Sequence, residues 1–305
     1  MEVLHALSNI RVPVLTEILS LITYLGSDIF FIAFAIVFLW CVDKKWGYRL
    51  FYIGIFGTLI NQLLKAIFVI PRPWIRDSSF HAVESAIPAA TGYSFPSGHT
   101  QSISCIALTV AVWCKKRWVS IVSIVLILLV AFSRLYLGVH TPLDVGVSLI
   151  TGIITVFLFS FLFKKSEENK KLIYVLYGLI VAFAIGLVCF VEFMPKTSAN
   201  VPEFDAHGLK SAYTLLGATV GITISYFIER KYINFDTKAT LTMQILKCAI
   251  GLGIVIGIRA LLKTPLYNLF SGHYAADAIR YLIVALFAGC IYPMTFKFFN
   301  RKSNK

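Results

Sequence analysis

Long apolar runs dominate the chain, separated by short polar segments. Runs of about 18–25 residues, enough to cross about 30 Å of hydrocarbon as a helix, fall near 20–41, 48–70, 97–114, 118–138, 142–163, 172–193, 208–228, 241–262 and 278–299. The pattern predicts an all-α, polytopic transmembrane helix bundle of about nine spans. A hydrophilic stretch, KKSEENKK at 164–171, reads as a connector between residues 1–163, with about five spans, and residues 172–305, with about four. Residues 1–19 mix apolar and polar positions around Pro13, which suits a short interfacial helix broken at the proline as well as irregular chain. Their beginning, MEVLHALSNIRVP, lacks the basic segment and small-residue cleavage site of a signal peptide, so the first span is expected to stay as an anchor.

Composition agrees with a membrane protein: 58% of residues are hydrophobic and 14% charged, with a mean hydropathy of +0.80. The net charge of +13 would suit nucleic acid, but its placement points to topology instead. Seventeen Lys and Arg cluster in alternate loops, around 44–49, 115–117, 164–171, 230–238 and 297–305, while the opposite loops carry only Arg72, Arg76, Lys196 and Lys263. The positive-inside rule makes the first set cytoplasmic. The N-terminus is then outside, the C-terminus inside, and the loops 71–96, 139–141, 194–207 and 263–277 face out. The six cysteines form no CxxC pair and no two share an outer loop, so neither disulfides nor a thiolate metal site is implied.

Three outer segments carry the chemistry. In KAIFVIPRP, Lys65 lies within a span and Arg72 just after it; alone, the pair reads more simply as a snorkelling lysine beside an interfacial arginine. In FPSGHT, Pro96 precedes a helix whose first turn holds Ser97, Gly98 and His99. Free backbone N–H groups there make an anion site, or Ser97 is simply an N-cap and His99 an interfacial residue. In SRLYLGVHTPLD, Thr141, Pro142 and Asp144 fit a capping box, which leaves Arg134 and His140 unexplained. A carboxylate one turn from His140 can hold one ring nitrogen and aim the other at an electrophile. Two histidines, an oriented carboxylate, three cations and a helix N-terminus on one face suit a phosphate dianion.

The ordered set Lys65-x6-Arg72-Pro73, Pro96-Ser97-Gly98-His99 and Ser133-Arg134-x5-His140-x3-Asp144 resembles the three-part signature of the type 2 phosphatidic acid phosphatases, the lipid phosphate phosphatases related to vanadium haloperoxidases. The likeness covers about residues 48–160. It implies a membrane hydrolase that removes phosphate from a lipid phosphate or polyprenyl diphosphate at the outer face, without metal or other cofactor. It further implies His140 as nucleophile, Asp144 as its orienting partner, His99 as general acid, and Lys65, Arg72, Ser97, Gly98 and Arg134 as phosphate ligands. Membrane lipids are the expected partners, and a bacterial cytoplasmic membrane the expected location. The spans after residue 171 depart from the family's core, and there Arg259, Lys263 and Arg280 are candidates for a second acidic group of the substrate, against a reading in which Arg280 pairs with Asp277 and the others anchor at the interface. Rival functions are a lipid phosphotransferase using the same histidine, an anion-binding transporter, and a metal hydrolase with His99, His140 and Asp144 as ligands.

Overall fold

The computed structural model describes residues 1–196 and 200–300, apart from the side chain of Asn300. Residues 197–199 of the 194–207 loop and the basic Arg301, Lys302 and Lys305 lie outside the described residues. The described chain is helical without strands: α1 Glu2–Asn9, α2 Pro13–Ile22, α3 Asp28–Cys41, α4 Lys44–Phe68, α5 Pro73–Arg76, α6 Gly98–Cys114, α7 Arg117–Tyr136, α8 Pro142–Glu168, α9 Lys170–Phe193, α10 Pro202–Ile228, α11 Leu241–Leu261, α12 Lys263–Leu269, α13 Ala275–Leu286 and α14 Phe296–Asn300. Seven of its helices are long and apolar enough to cross a membrane, and a bent pair makes an eighth. The run at 97–114 gives α6, whose 17 residues make it the shortest of the expected spans.

One expectation changes, and another gains detail. The span placed at 20–41 is instead α2 and α3, bent by 52° at a break, because a 3-10 turn at Thr23–Gly26 ends α2 and Ser27 is extended before α3 begins at Asp28. The connector at 164–171 is mostly helix: α8 runs to Glu168, Asn169 alone is extended, and α9 starts at Lys170.

The chain divides into two compact units that are discontinuous in sequence. The first is Met1–Phe31, Ile53–Lys170 and Val191–Gly208; the second is Ile32–Tyr52, Lys171–Phe190 and Leu209–Lys305. They differ from a contiguous division at 164–171 in two segments, Ile32–Tyr52 and Val191–Gly208.

In the first unit α6 packs against both α7 and α8. Ile103, Ala107, Ile127 and Val130 are buried between them, and Ser123 Oγ donates to the Ala107 carbonyl at 2.9 Å. The N-terminal residues belong to this core: Leu4 of α1 and Leu19 of α2 pack with Phe80, Tyr136, Leu137 and Val139. Pro13 occupies the first turn of α2, where its missing N–H costs nothing. Arg11 ties this cap down, donating from Nε to the Tyr136 carbonyl at 3.0 Å and from Nη1 to the His81 carbonyl at 2.7 Å.

The second unit is held by aromatic packing around polar anchors. Tyr52 and Tyr177 stack with ring centroids 3.7 Å apart. A π-helical turn at Phe287–Ile291 loosens the backbone ladder. Trp40 Nε1 donates to the Ala288 carbonyl there at 2.8 Å, and Tyr48 Oη to that of Gly289 at 2.9 Å, so side chains satisfy the polar groups that the turn frees.

Candidate active site

The start of α6 is built by its cap. Ser97 is extended, and its hydroxyl accepts from the Thr100 N–H at 3.4 Å and the Thr100 hydroxyl at 3.0 Å. Its own N–H donates to the Asp144 carbonyl at 3.1 Å, which locks the beginning of α6 to that of α8. The cap is therefore real, and Gly98 and His99 beyond it line a cavity. The backbone of His99 is also approached by the break in the first span. A Cβ on Gly26 would lie 2.5 Å from the His99 carbonyl oxygen, so only glycine fits that contact.

The turn between α7 and α8 positions His140. Gly138 has φ of +78°, a left-handed conformation that favours glycine, and a Cβ there would meet Phe80 and Arg11 at 2.7 Å. The capping box forms as well: Thr141 N–H donates to Asp144 Oδ2 at 2.7 Å and Asp144 N–H to Thr141 Oγ1 at 3.4 Å. Ser94 Oγ donates to the same Oδ2 at 2.6 Å, and His140 Nδ1 faces it at 3.4 Å. Asp144 is thus a cap whose carboxylate also faces the imidazole of His140. On the other side of the ring, Arg72 Nη1 lies 3.0 Å from His140 Nε2. A guanidinium only donates, so Nε2 accepts and the ring proton sits on Nδ1, towards Asp144. Burial, followed by the charge of Arg72, pushes the imidazole pKa well below its ordinary value, against the pull of Asp144. His140 is held neutral with its Nε2 lone pair directed at a cation.

Arg72 is itself pinned, from Nε to the Gly92 carbonyl at 2.8 Å, Nη1 to that of Val139 at 3.0 Å and Nη2 to that of Thr91 at 2.6 Å. With His140, four of its five N–H groups are engaged. Lys65 donates to the Tyr93 carbonyl. Arg134, 1% exposed, donates from Nη1 to Thr23 Oγ1 at 2.7 Å, and its Nε has no partner among the described residues. Buried cations with donors to spare are costly unless an anion meets them.

Lys65, Arg72, Gly98, His99, Arg134 and His140 all line one cavity of about 600 Å³, counting its open mouth. Ser97 and Asp144 stand behind its wall, in the contacts just described. Among the described residues no three His, Cys, Asp or Glu side chains are grouped to hold a metal. Of the candidates in the second unit, Arg259 and Arg280 both touch the side chain of Tyr281. Arg280 is buried and bonded to Asp277, which also accepts from Tyr267. Arg259 is exposed and donates to Tyr281 Oη at 3.1 Å, while Lys263 is exposed. The i, i+3 spacing on α13 brings Asp277 and Arg280 together first.

The cavity contains residues that the motifs did not indicate. Asp28, Thr58, Asn61, Gln62 and Gln101 line it, as does His207. Asp28 had a signal in the sequence, an acidic residue inside an apolar run. His207 had none. It arrives with Val191–Gly208, which belongs to the first unit, and its Nε2 lies 3.2 Å from Thr91 Oγ1. Nearby, Tyr93 Oη donates to Asp205 Oδ1 at 2.8 Å and accepts from the Val201 N–H at 2.9 Å.

A family model described as the PAP2 superfamily matches residues 46–168, and one described as a PAP2 superfamily phosphatase, transmembrane extension, matches 213–304. Undecaprenyl-diphosphatase BcrC of Bacillus subtilis (strain 168) is 38% identical over 35% of this chain and 52% of its own. Phosphatidylglycerophosphatase B of the same organism is 30% identical over 49% of this chain and 75% of its own. Human sphingosine-1-phosphate phosphatase 2 is 26% identical over 78% of this chain and 62% of its own. The aligned part of the chain spans about half of the first of these and about three-fifths of the last.

Proposed function

This chain belongs to the PAP2 superfamily of phosphatases, and from that premise we propose that it hydrolyses a lipid phosphate or polyprenyl diphosphate at the outer face of a cell membrane through a phosphohistidine. The observation that carries the proposal is the contact between Arg72 Nη1 and His140 Nε2, 3.0 Å apart, with Asp144 behind the ring. It fixes the tautomer a nucleophilic imidazole needs.

A phosphate entering the cavity meets Lys65, Arg72, Arg134 and the backbone N–H groups at the start of α6. Arg72 exchanges its bond to Nε2 for one to a phosphoryl oxygen. The freed lone pair attacks phosphorus, and the P–O bond to the lipid breaks as His99 gives its proton to the leaving oxygen. The Nδ1–H of His140 stays on the ring, with Asp144 stabilising the charge that develops. In the second half, water gives a proton to His99, attacks phosphorus and releases inorganic phosphate from Nε2. This route assigns no step to a metal. Asp144 Oδ2 is already taken by the Thr141 N–H and the Ser94 hydroxyl, and a guanidinium stands where a metal would meet Nε2.

Phosphate release by the purified protein in detergent tests the proposal, with phosphatidate, phosphatidylglycerol phosphate, sphingosine 1-phosphate and undecaprenyl diphosphate as substrates. At least one should be hydrolysed in the presence of chelator and inhibited by vanadate, and His140→Ala should abolish turnover while leaving the fold intact. Hydrolysis that survives in His140→Ala at more than a few per cent would remove the phosphohistidine, and no release from any lipid would remove the phosphatase activity.

A further inference from the structure

The second unit holds a pair of thiols that the reaction above does not use. Cys41 ends α3 and Cys248 lies in α11. They are 207 positions apart, yet their Sγ atoms stand 3.2 Å from each other. That separation is why the spacing of the cysteines along the chain does not reveal the pair. Both residues belong to the second unit.

Contacts on either side of the sulfurs hold the two helices together. One turn before Cys248, Gln244 Nε2 donates to the Cys41 carbonyl at 3.5 Å. Next to Cys248, Lys247 Nζ donates to the Trp40 carbonyl at 2.9 Å. About one turn further on, a Cβ on Gly251 would lie 2.5 Å from the Trp40 ring, so α11 is seated against the end of α3 with no room for a side chain between them. The thiols face each other because their backbones are fixed. A bond between them needs the sulfurs to close by about 1 Å, a shift that side-chain rotation can supply.

The surroundings suit thiolate chemistry. Lys247 is fully buried, and its ammonium donates only to neutral carbonyls, that of Trp40 and, at 3.5 Å, that of Thr237. It feels charge at both sulfurs as well as at Asp236. A buried cation held by neutral groups favours a neighbouring anion, and an adjacent ammonium favours thiolate over thiol. Neither thiol is fully buried. Asp43, Lys44 and Lys45 follow Cys41 almost directly, so the pair lies at the aqueous end of its span. On the orientation expected from the basic loops, that end faces the cytoplasm, where disulfides are transient and redox-sensing rather than permanent staples.

We propose that Cys41 and Cys248 form a reversible disulfide, made by exchange with a small disulfide of the glutathione class. One protein thiolate attacks a sulfur of the small disulfide and expels a glutathione thiolate. The second protein thiolate then attacks the protein sulfur of the mixed disulfide and expels the other glutathione. Two protein thiols give up two electrons and two protons, and one glutathione disulfide becomes two glutathione thiols. The product ties the end of α3 to α11.

The test incubates the purified full-length protein in detergent with oxidised glutathione over a series of reduced-glutathione concentrations, then alkylates the remaining thiols and maps the peptides. Wild type should yield one cross-linked peptide pair, Cys41 with Cys248, about 2 Da lighter than its two thiol peptides together because a two-electron couple has been oxidised. It should form even with reduced glutathione in excess, since the second step is intramolecular, and dithiothreitol should reverse it. Cys189, which is exposed, should stay out of the cross-link and serves as the internal control. Cys41→Ser should convert the product to a lasting glutathione adduct on Cys248. Two thiols that both remain open to alkylation in oxidised glutathione alone would overturn the proposal. So would glutathione adducts that persist on wild-type Cys41 or Cys248, or cross-links to other cysteines in similar yield; these wild-type results need no variant. Phosphate release plays no part in the readout, so the outcome is independent of the phosphatase function.

Discussion

Replacing Gly26 with alanine adds one methyl group at the break of the first span, and the structure states where it goes. The new Cβ would sit 2.5 Å from the carbonyl oxygen of His99 and 2.9 Å from its carbonyl carbon and Cβ. Ordinary contact begins near 3.4 Å, so the two segments must part by about 1 Å. Neither side yields readily. The 3-10 turn is anchored through Thr23 to Arg134, and His99 is in the first turn of α6, next to a cap locked to Asp144. The backbone at Gly26 is not left-handed, so alanine is not strained there and the effect isolates the contact. Overpacking of this kind costs about 1–3 kcal/mol, and a misplacement of about 1 Å at a reacting group costs about a hundredfold in rate. We expect Gly26→Ala to lower kcat on a soluble aryl phosphate by about that factor and to lower the melting midpoint in detergent. Gly146→Ala is the control, because nothing lies within 4 Å of its added Cβ. Wild-type kcat and stability in Gly26→Ala, or equal damage in both variants, would refute the packing account of His99.

Asp144→Asn should lower kcat by at least about a hundredfold, because an amide can stabilise the wrong tautomer of His140, with a smaller change in melting midpoint; near-normal kcat would deny Asp144 its orienting role. His99→Ala should be partly rescued on aryl phosphates, whose leaving oxygen needs little protonation; equal losses on aryl and alkyl phosphates would make His99 a ligand only. Because His140 is held neutral in the folded state, the unfolded chain binds the extra proton, so stability should fall as pH drops below about 6.5 and recover above it. Melting curves from pH 7 to 5 should show this slope reduced in His140→Asn. A cysteine at Ser79 should react with an impermeant thiol reagent from outside and one at Ser166 should not; the reverse pattern would place the site inside the cell.

The signature residues were legible because charge and polarity are conspicuous in an apolar chain. Lys65, Arg72, His99, Arg134 and His140 stand out for that reason, and the structure brings all five to one cavity. Asp28 is just as conspicuous, yet it sits in a stretch that reads as one continuous span, and the break that turns it into the cavity depends on a 3-10 turn of ordinary residues, Thr23–Gly26. The local signal is slight: Gly26 followed by Ser27, whose hydroxyl caps α3 by accepting from the Phe30 N–H at 3.2 Å. Local pattern was weakest for Val191–Gly208. Nothing in its composition says that His207 returns to Thr91, or that Asp205 and Val201 hold the hydroxyl of Tyr93. Arg72 hangs on the carbonyls of Thr91 and Gly92. Residues beyond 171 are therefore built into the support of Arg72, although every signature residue precedes them.

The bond between Arg72 and His140 makes the empty protein chemically quiet. An imidazole with a free lone pair is open to any small electrophile that diffuses in from the aqueous phase. Here the lone pair is occupied by a donor that lets go only for a group able to accept a guanidinium in its place, which acyl halides, epoxides and carbonates are poorly equipped to do. On the reaction proposed above, the nucleophile is unmasked by the charge of its own substrate, and selectivity begins before the reacting atom is reached. Carbethoxylation of His140 should accordingly be slow in the resting protein and fast once Arg72 is replaced by a residue that cannot donate, so the guard doubles as a safeguard for a histidine that has to survive many turnovers.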